Sequence, residues 1–368
     1  MANQIRGVRG VLWLVLAVVV VVAAIAAVVT REQGQSPEVG TNEGAGREGA
    51  AGVTLSGAGA TFPQPLYEKW FAEYNRQNPS VRINYQGIGS GGGIRAITER
   101  NVDFGATDAP LTDEQLQAAP GRLLHIPTVA GAVAVVYNLP GVERLRLTPE
   151  VLADIFLGKI TRWNDSRIAT INPGVQLPDL PIAVVHRSDG SGTTNILTSY
   201  LSAVSSEWKE KVGAGPSITW PVEAAAGKGN PGVAGYVRQM QGAIGYTEYA
   251  YARQNNLACA LIQNQAGNFV EPSLESTRAA LAGMAEEMPA DFRMMTVNSP
   301  APDAYPIVGL TWLLVYQQQE DGEKGKALVD VLEWVLQHGD EIAESLDYVP
   351  LPGDLEAKVL ERVRSIQY

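Results

Sequence analysis

The chain has 368 residues, enough for two domains and too many to depend on disulfides or a metal for a core. Its 45% hydrophobic and 18% charged residues, with 38 Gly and 22 Pro, exclude a disordered or collagen-like polymer. A formal net charge of -11 with no basic block excludes a sequence-independent grip on nucleic acid.

Residues 11–29 form an unbroken apolar run preceded by Arg6 and Arg9. That run is long enough to cross a bilayer with its basic side in the cytoplasm, so residues 1–30 are expected to be a membrane anchor or, alternatively, a signal segment. Either way the rest of the chain is expected outside the cytoplasm. Only Arg6 and Arg9 of the 28 basic residues precede residue 31, which leaves 26 basic and 39 acidic residues, a charge of -13. Residues 31–52 are rich in Gly, Glu and Ala without apolar periodicity and read as a flexible linker. The Gly44-Ala-Gly46-Arg-Glu-Gly49 match to a dinucleotide fingerprint has no strand before it and is chance.

From Val53 onward short apolar runs alternate with amphipathic helices, which predicts an α/β fold. Residues 53–56 read as a strand that runs into Gly57-Ala-Gly59-Ala-Thr61-Phe62. A helix opened by Pro63 and Pro65 follows, with Leu66, Tyr67, Trp70, Phe71 and Tyr74 on one face. Residues 81–85 are a second strand, 87–93 a glycine-rich loop, 94–100 a helix, and 102–108 a strand ending on Asp108. Residues 123–139 are apolar on both faces, as a strand crossing a sheet core would be. The strand at 182–186 enters Arg187-Ser-Asp189-Gly-Ser191-Gly192-Thr193-Thr194, followed by a helix carrying Ile196, Leu197, Tyr200, Leu201, Val204 and Trp208 on one face. Late in the chain, 307–316 read as a strand and 327–337 and 355–366 as helices. The single cysteine, Cys259, sits in an apolar run and is expected in the core. His125, His186 and His338 lack metal-ligand spacing.

Three junctions, at 59–62, 89–93 and 189–194, each place Gly and Ser or Thr where a helix begins. A helix N-terminus exposes unpaired N–H groups and a partial positive charge, so it can hold an anion without net positive charge. Glycine permits close backbone approach, and hydroxyls add adjustable donors. A single junction needs no more explanation than N-capping. Three of them, joined by one arginine and two aspartates, point to an anion site.

The segments Gly57-Ala-Gly-Ala-Thr-Phe-Pro63, Tyr85-Gln-Gly-Ile-Gly-Ser90, Val102-Asp-Phe-Gly-Ala-Thr-Asp-Ala-Pro-Leu111 and Asp189-Gly-Ser-Gly-Thr193 resemble signature segments of the substrate-binding protein of the bacterial high-affinity phosphate ABC transporter. Leu157-Gly-Lys-Ile-Thr-Arg-Trp-Asn164, Gly227-Lys-Gly-Asn230 and Gly242-Ala-Ile-Gly-Tyr-Thr-Glu-Tyr-Ala-Tyr251 are similar to it too, in the same order. The resemblance implies a two-lobed periplasmic-binding-protein (type II) fold with two hinge crossings, lobe one being 53–129 plus 304–368 and lobe two 130–303. It implies phosphate held in the cleft by Thr61, the Phe62 N–H, Ser90, Asp108, Arg187, Ser191, Gly192 and Thr193, with Asp189 orienting the arginine. Asp108 matches the carboxylate that accepts the proton phosphate still carries near neutral pH and sulfate lacks. A site built around a substrate hydrogen rejects the analogue without it by roughly 10⁴ to 10⁵ fold.

The implied partners are inorganic phosphate and the permease subunits of the transporter, with the protein a monomer, not an enzyme, and needing no cofactor or metal. The lipidated cysteine that anchors many such proteins has no counterpart near the N-terminus, and the apolar run would take its place. The alternatives are a surface phosphate-sensing or adhesion protein on the same fold, or a phosphate-ester hydrolase using His186, Asp189 and Ser191. A dinucleotide reading of Gly87-x-Gly89-x-x-Gly92 leaves the other two junctions unexplained.

Overall fold

In the computed structural model, which describes residues 52–282 and 284–368, the alternating runs become an α/β architecture. The expected anchor or signal segment and the linker lie outside the described residues, except for Gly52. Among the described residues no helix is long and apolar enough to cross a membrane. The strands are β1 (Val53–Gly59), β2 (Val81–Gly87), β3 (Phe104–Thr107), β4 (Leu123–Tyr137), β5 (Arg146–Leu147), β6 (Ala183–Arg187), β7 (Ala225–Gly227), β8 (Ala243–Glu248), β9 (Ala258–Cys259), β10 (Leu261–Gln263), β11 (Phe269–Val270), β12 (Val308–Tyr316) and β13 (Val349–Pro350). The main sheet runs β2-β1-β3-β12-β4-β8-β6-β7, with β9 and β13 also paired to β4. A smaller sheet runs β11-β10-β5.

Every residue of β4 is buried, as its apolar faces require. Residues 123–132 pair antiparallel with β12, and residues 133–137 pair antiparallel with β8. One strand therefore serves both halves of the sheet. Pro127 cannot donate to a ladder, and a proline inside a central strand is tolerated at a bulge. The register between β12 and β4 shifts at Thr311/Trp312, opposite Pro127. Bulges re-aim side chains, and the extra residue here is Thr128 of β4, which faces the step from Thr311 to Trp312.

The helix Gln64–Gln77 buries the predicted Leu66, Tyr67, Trp70, Phe71 and Tyr74. Tyr67 stacks on Trp70 at 5.8 Å and meets Tyr85 edge-on at 5.4 Å, and the Trp70 indole donates to the Gly339 carbonyl at 2.9 Å. Such aromatic pairs contribute about 0.5–1.5 kcal/mol each beyond their burial.

Two local expectations are corrected. The glycines at 91–93 are not loop: the helix starts at Ser90, with Gly89 at φ 85 as its N-cap. Gly93 approaches β1 so closely that a Cβ there would sit 2.5 Å from the Gly59 Cα. The helix after Thr193 does not run through Trp208. It spans Gly192–Val204, and Ser205 leaves helical geometry (φ -135, ψ 112) to cap a second helix, Ser206–Lys211, by accepting from the Trp208 N–H. Serine prefers that capping role to a helix interior. The helices Gly229–Gln239 and Tyr249–Gln254 were not legible in the sequence, yet the one bonds to the first and third junctions and the other to the first.

Candidate functional site

The first junction follows β1, where Gly59 at φ 151 turns the chain toward Thr61 and Phe62. Three consecutive carbonyls there are each taken by a tyrosine hydroxyl. Tyr85 donates to Ala60 at 2.6 Å, Tyr251 to Thr61 at 2.5 Å and Tyr348 to Phe62 at 2.6 Å. With its carbonyls tied back, the loop is held in one orientation. Thr61 and Phe62 are buried, and the Thr61 hydroxyl accepts from the backbone and side-chain nitrogens of Asn230, both at 3.0 Å.

The second and third junctions touch. Ser90 Oγ accepts from the Asp108 N–H at 3.1 Å and from the Gly192 N–H at 3.0 Å, and lies 3.3 Å from Asp108 Oδ2. The Gly91 N–H donates to the Gly190 carbonyl at 2.9 Å. Glycine is required at this contact: a Cβ on Gly192 would lie 2.4 Å from the Asp108 Cβ, and one on Gly89 2.1 Å from Asp189 Oδ2.

In the third junction, the buried Arg187 forks onto Asp189, Nε to Oδ1 at 2.8 Å and Nη2 to Oδ2 at 2.5 Å, while Nη1 reaches the Thr193 hydroxyl at 3.3 Å. Asp189 Oδ1 also accepts from the Gly229 N–H at 3.0 Å. Burial pushes the Asp189 carboxyl up, but the bonds and charge of Arg187 outweigh it and leave it below its ordinary value. Ser191 caps its helix by accepting from the Thr194 N–H at 3.0 Å.

Asp108 stands just past the end of β3, 1% exposed, with the Thr311 hydroxyl donating to Oδ1 at 2.8 Å. Burial pushes its carboxyl up to about 7, opposed by the Thr311 bond, the Arg187 charge and Ser90. Above that pH it only accepts hydrogen bonds; below it, it can donate.

All nine residues expected from the sequence thus lie in one cluster, buried except for the part-exposed Asp189, linked by hydrogen bonds or by the chain itself. Asn230, Thr311 and Glu248 were missed. Asn230 joins Thr61 to Thr193, its Nδ2 lying 3.0 and 3.2 Å from their hydroxyls. A lone hydroxyl in the apolar run of β12 was the signal for Thr311. Glu248 ends β8 opposite Val133 of β4, fully buried, its Oε2 accepting from the Ala250 N–H at 2.9 Å and lying 2.9 Å from the Tyr348 hydroxyl. Oε1 has no partner among the described residues, and burial pushes this carboxyl well above its ordinary value.

The hydrolase constellation does not assemble. His186 stacks on Trp220 at 5.0 Å with Nδ1 on the Arg187 carbonyl, Asp189 is engaged by Arg187, and Ser191 caps a helix. Cys259 is only half-buried on β9, not a full core residue, and burial pushes its thiol up to about 12. Among the described residues no group of three His, Cys, Asp or Glu could hold a metal ion. What remains around the three junctions is a set of N–H and O–H donors with one paired arginine and the buried carboxylate of Asp108. That set suits a small tetrahedral oxyanion that itself carries a proton.

The PBP superfamily domain matches residues 33–337. The chain is 47% identical to the phosphate-binding protein PstS of Pasteurella multocida (strain Pm70), over 83% of this chain and 88% of that one. It is 40% identical to the protein of the same name from Methanocaldococcus jannaschii, over 89% and 90%. Among solved structures, it is similar to a high affinity periplasmic phosphate-binding protein (PfluDING) bound with phosphate, with a TM-score of 0.67 and 23% identity over 86% of this chain and 99% of that one.

Proposed function

The chain belongs to the PBP superfamily and, within it, to the phosphate-binding proteins, and from that membership we propose that it captures inorganic phosphate outside the cytoplasm and delivers it to the permease of an ABC transporter. The observation that carries the reading is Asp108. It is a buried carboxylate placed where the second and third helix starts touch, with the Ser90 and Thr311 hydroxyls on its oxygens and the charge of Arg187 acting on it. Phosphate offers that carboxylate a proton, and sulfate offers it only lone pairs.

In this reading Thr61, the Phe62 N–H, Ser90, Arg187, Ser191, Gly192 and Thr193 bind the oxygens, Asp108 binds the proton, and Asp189 orients the guanidinium. Hydrogen bonds to a charged group contribute on the order of 1.5–3 kcal/mol each, so several support affinity in the micromolar range or tighter. The residues are so thoroughly buried that phosphate enters only when the two sides of the cluster part. The lobes that part are 53–129 with 304–368, and 130–303. The β4 strand, shared by both halves of the sheet, is one hinge crossing. The protein works as a monomer tethered by residues 1–30, with the linker giving it reach.

Titration calorimetry of the purified chain with phosphate and with sulfate tests the reading. Tight phosphate binding with sulfate roughly 10⁴ fold weaker is expected. Equal binding of both anions, or of neither, overturns it.

A further inference from the structure

Hydroxyl groups are ambivalent ligands: each has one proton to give and two lone pairs to fill. In this cluster the lone pairs are filled from within the protein. Thr61 Oγ1 accepts from the Asn230 backbone N–H and from Asn230 Nδ2. Thr193 Oγ1 accepts from the same Nδ2 and from Arg187 Nη1. With two donors aimed at each oxygen, each hydroxyl has only its own proton left to offer.

One side chain is common to both threonines. Asn230 is fully buried at the start of the helix Gly229–Gln239, so its backbone N–H is one of the donors a helix start leaves without an intrahelical partner. Its amide orientation is not free. Oδ1 accepts from the Glu248 N–H at 2.9 Å, and because a backbone N–H can only donate, Nδ2 must face the two threonines. Both hydroxyls precede Asn230 in sequence, by 169 and 37 residues.

We propose that Asn230 is a positioning residue that makes donors of the Thr61 and Thr193 hydroxyls, so that both present protons to the bound anion and the anion's own proton is directed to Asp108. The inference rests on the phosphate reading above and deepens it. Asn230 does not touch the anion; it acts through the two threonines.

The consequence is a coupling that packing alone would not produce. Asn230→Ala is expected to weaken binding of inorganic phosphate by the contribution of an oriented donor, about ten- to a hundred-fold. In a Thr61→Val/Thr193→Val background, where there is no hydroxyl to orient, the same change is expected to cost less than about three-fold. Calorimetry with inorganic phosphate on the full chain, in all four combinations, measures this. Melting curves identify folded variants, and Asn230→Ser replaces Asn230→Ala if the latter does not melt cooperatively. An equal loss from the Asn230 change in both backgrounds, or no loss in either, overturns the role of Asn230. If the unaltered chain itself fails to bind phosphate, the phosphate reading has failed and the positioning role falls with it. If it binds and the cycle is additive, only the positioning role fails.

Discussion

The Thr311 hydroxyl donates to Oδ1 of Asp108 at 2.8 Å, across 203 residues of sequence. This bond does two things. It holds the carboxylate in place, and it opposes the burial that pushes Asp108 up to about 7. The other carboxylate oxygen faces Ser90, whose own lone pairs are taken by the Asp108 and Gly192 N–H groups.

Replacing Asp108 by Asn supplies a donor where sulfate needs one. Asp108→Asn is expected to reduce discrimination between phosphate and sulfate from roughly 10⁴ fold to below about a hundred-fold, read by paired calorimetric titrations. The unaltered protein should show a weaker version of the same effect, sulfate binding improving as pH falls below about 7 and the carboxyl gains a proton. An unchanged preference in the variant would mean that another group reads the proton.

The same substitution has a signed effect on ligand-free stability. Folding moves the Asp108 carboxyl from 3.8 to about 7. Between those values the folded chain holds more proton than the unfolded one, so the contribution of Asp108 to stability declines as pH rises through the window and is level above it. Asp108→Asn escapes that decline. Its melting temperature relative to the parent should climb from pH 4 to pH 7 and then plateau, at roughly 1–2 °C for each kcal/mol gained. Scanning calorimetry in phosphate-free buffer checks this, and a difference independent of pH would contradict it.

Thr311→Val removes the donor to Oδ1 and keeps the shape of the side chain. Phosphate affinity at pH 8 is expected to fall about ten-fold, the value of one hydrogen bond to a charged group. Because that bond lowers the Asp108 carboxyl, the midpoint of the binding pH profile should also move upward. A loss of affinity with an unmoved midpoint would assign Thr311 a packing role only.

Gly192→Ala places a Cβ 2.4 Å from the Asp108 Cβ, a separation that real side chains do not adopt. The contact between the second and third junctions must then open by tenths of an ångström or more. Overpacking of this kind costs about 1–3 kcal/mol, so phosphate binding should weaken by about ten- to a hundred-fold. Titration of the variant beside the parent measures the effect, and unchanged affinity would show that the two junctions need not touch.

What was legible in the sequence is what local chemistry decides. Helix starts are marked by their own capping residues, strands by their own apolar runs, and so the three junctions could be read off before any contact was known, while the nine expected site residues came from the family resemblance of the segments that carry them. The break at Ser205 was local too, but the apolar face carried on to Trp208 masked it. Contacts between distant segments were not legible. Thr311 reaches Asp108 only because β12 lies antiparallel to β3 with Trp312 opposite Thr107, which brings the preceding residue of β12 beside the residue that follows β3. Asn230 reaches Thr61 only because a helix begins beside the first junction. The acidic total of -11 could not locate the site either, since exposed charge is screened within about 8–10 Å at physiological salt. The sequence by itself determined which donors and which carboxylate the protein possesses. Only the tertiary structure decided which lone pairs are already filled, because hydrogen-bond saturation depends on neighbours brought together across a hundred residues or more.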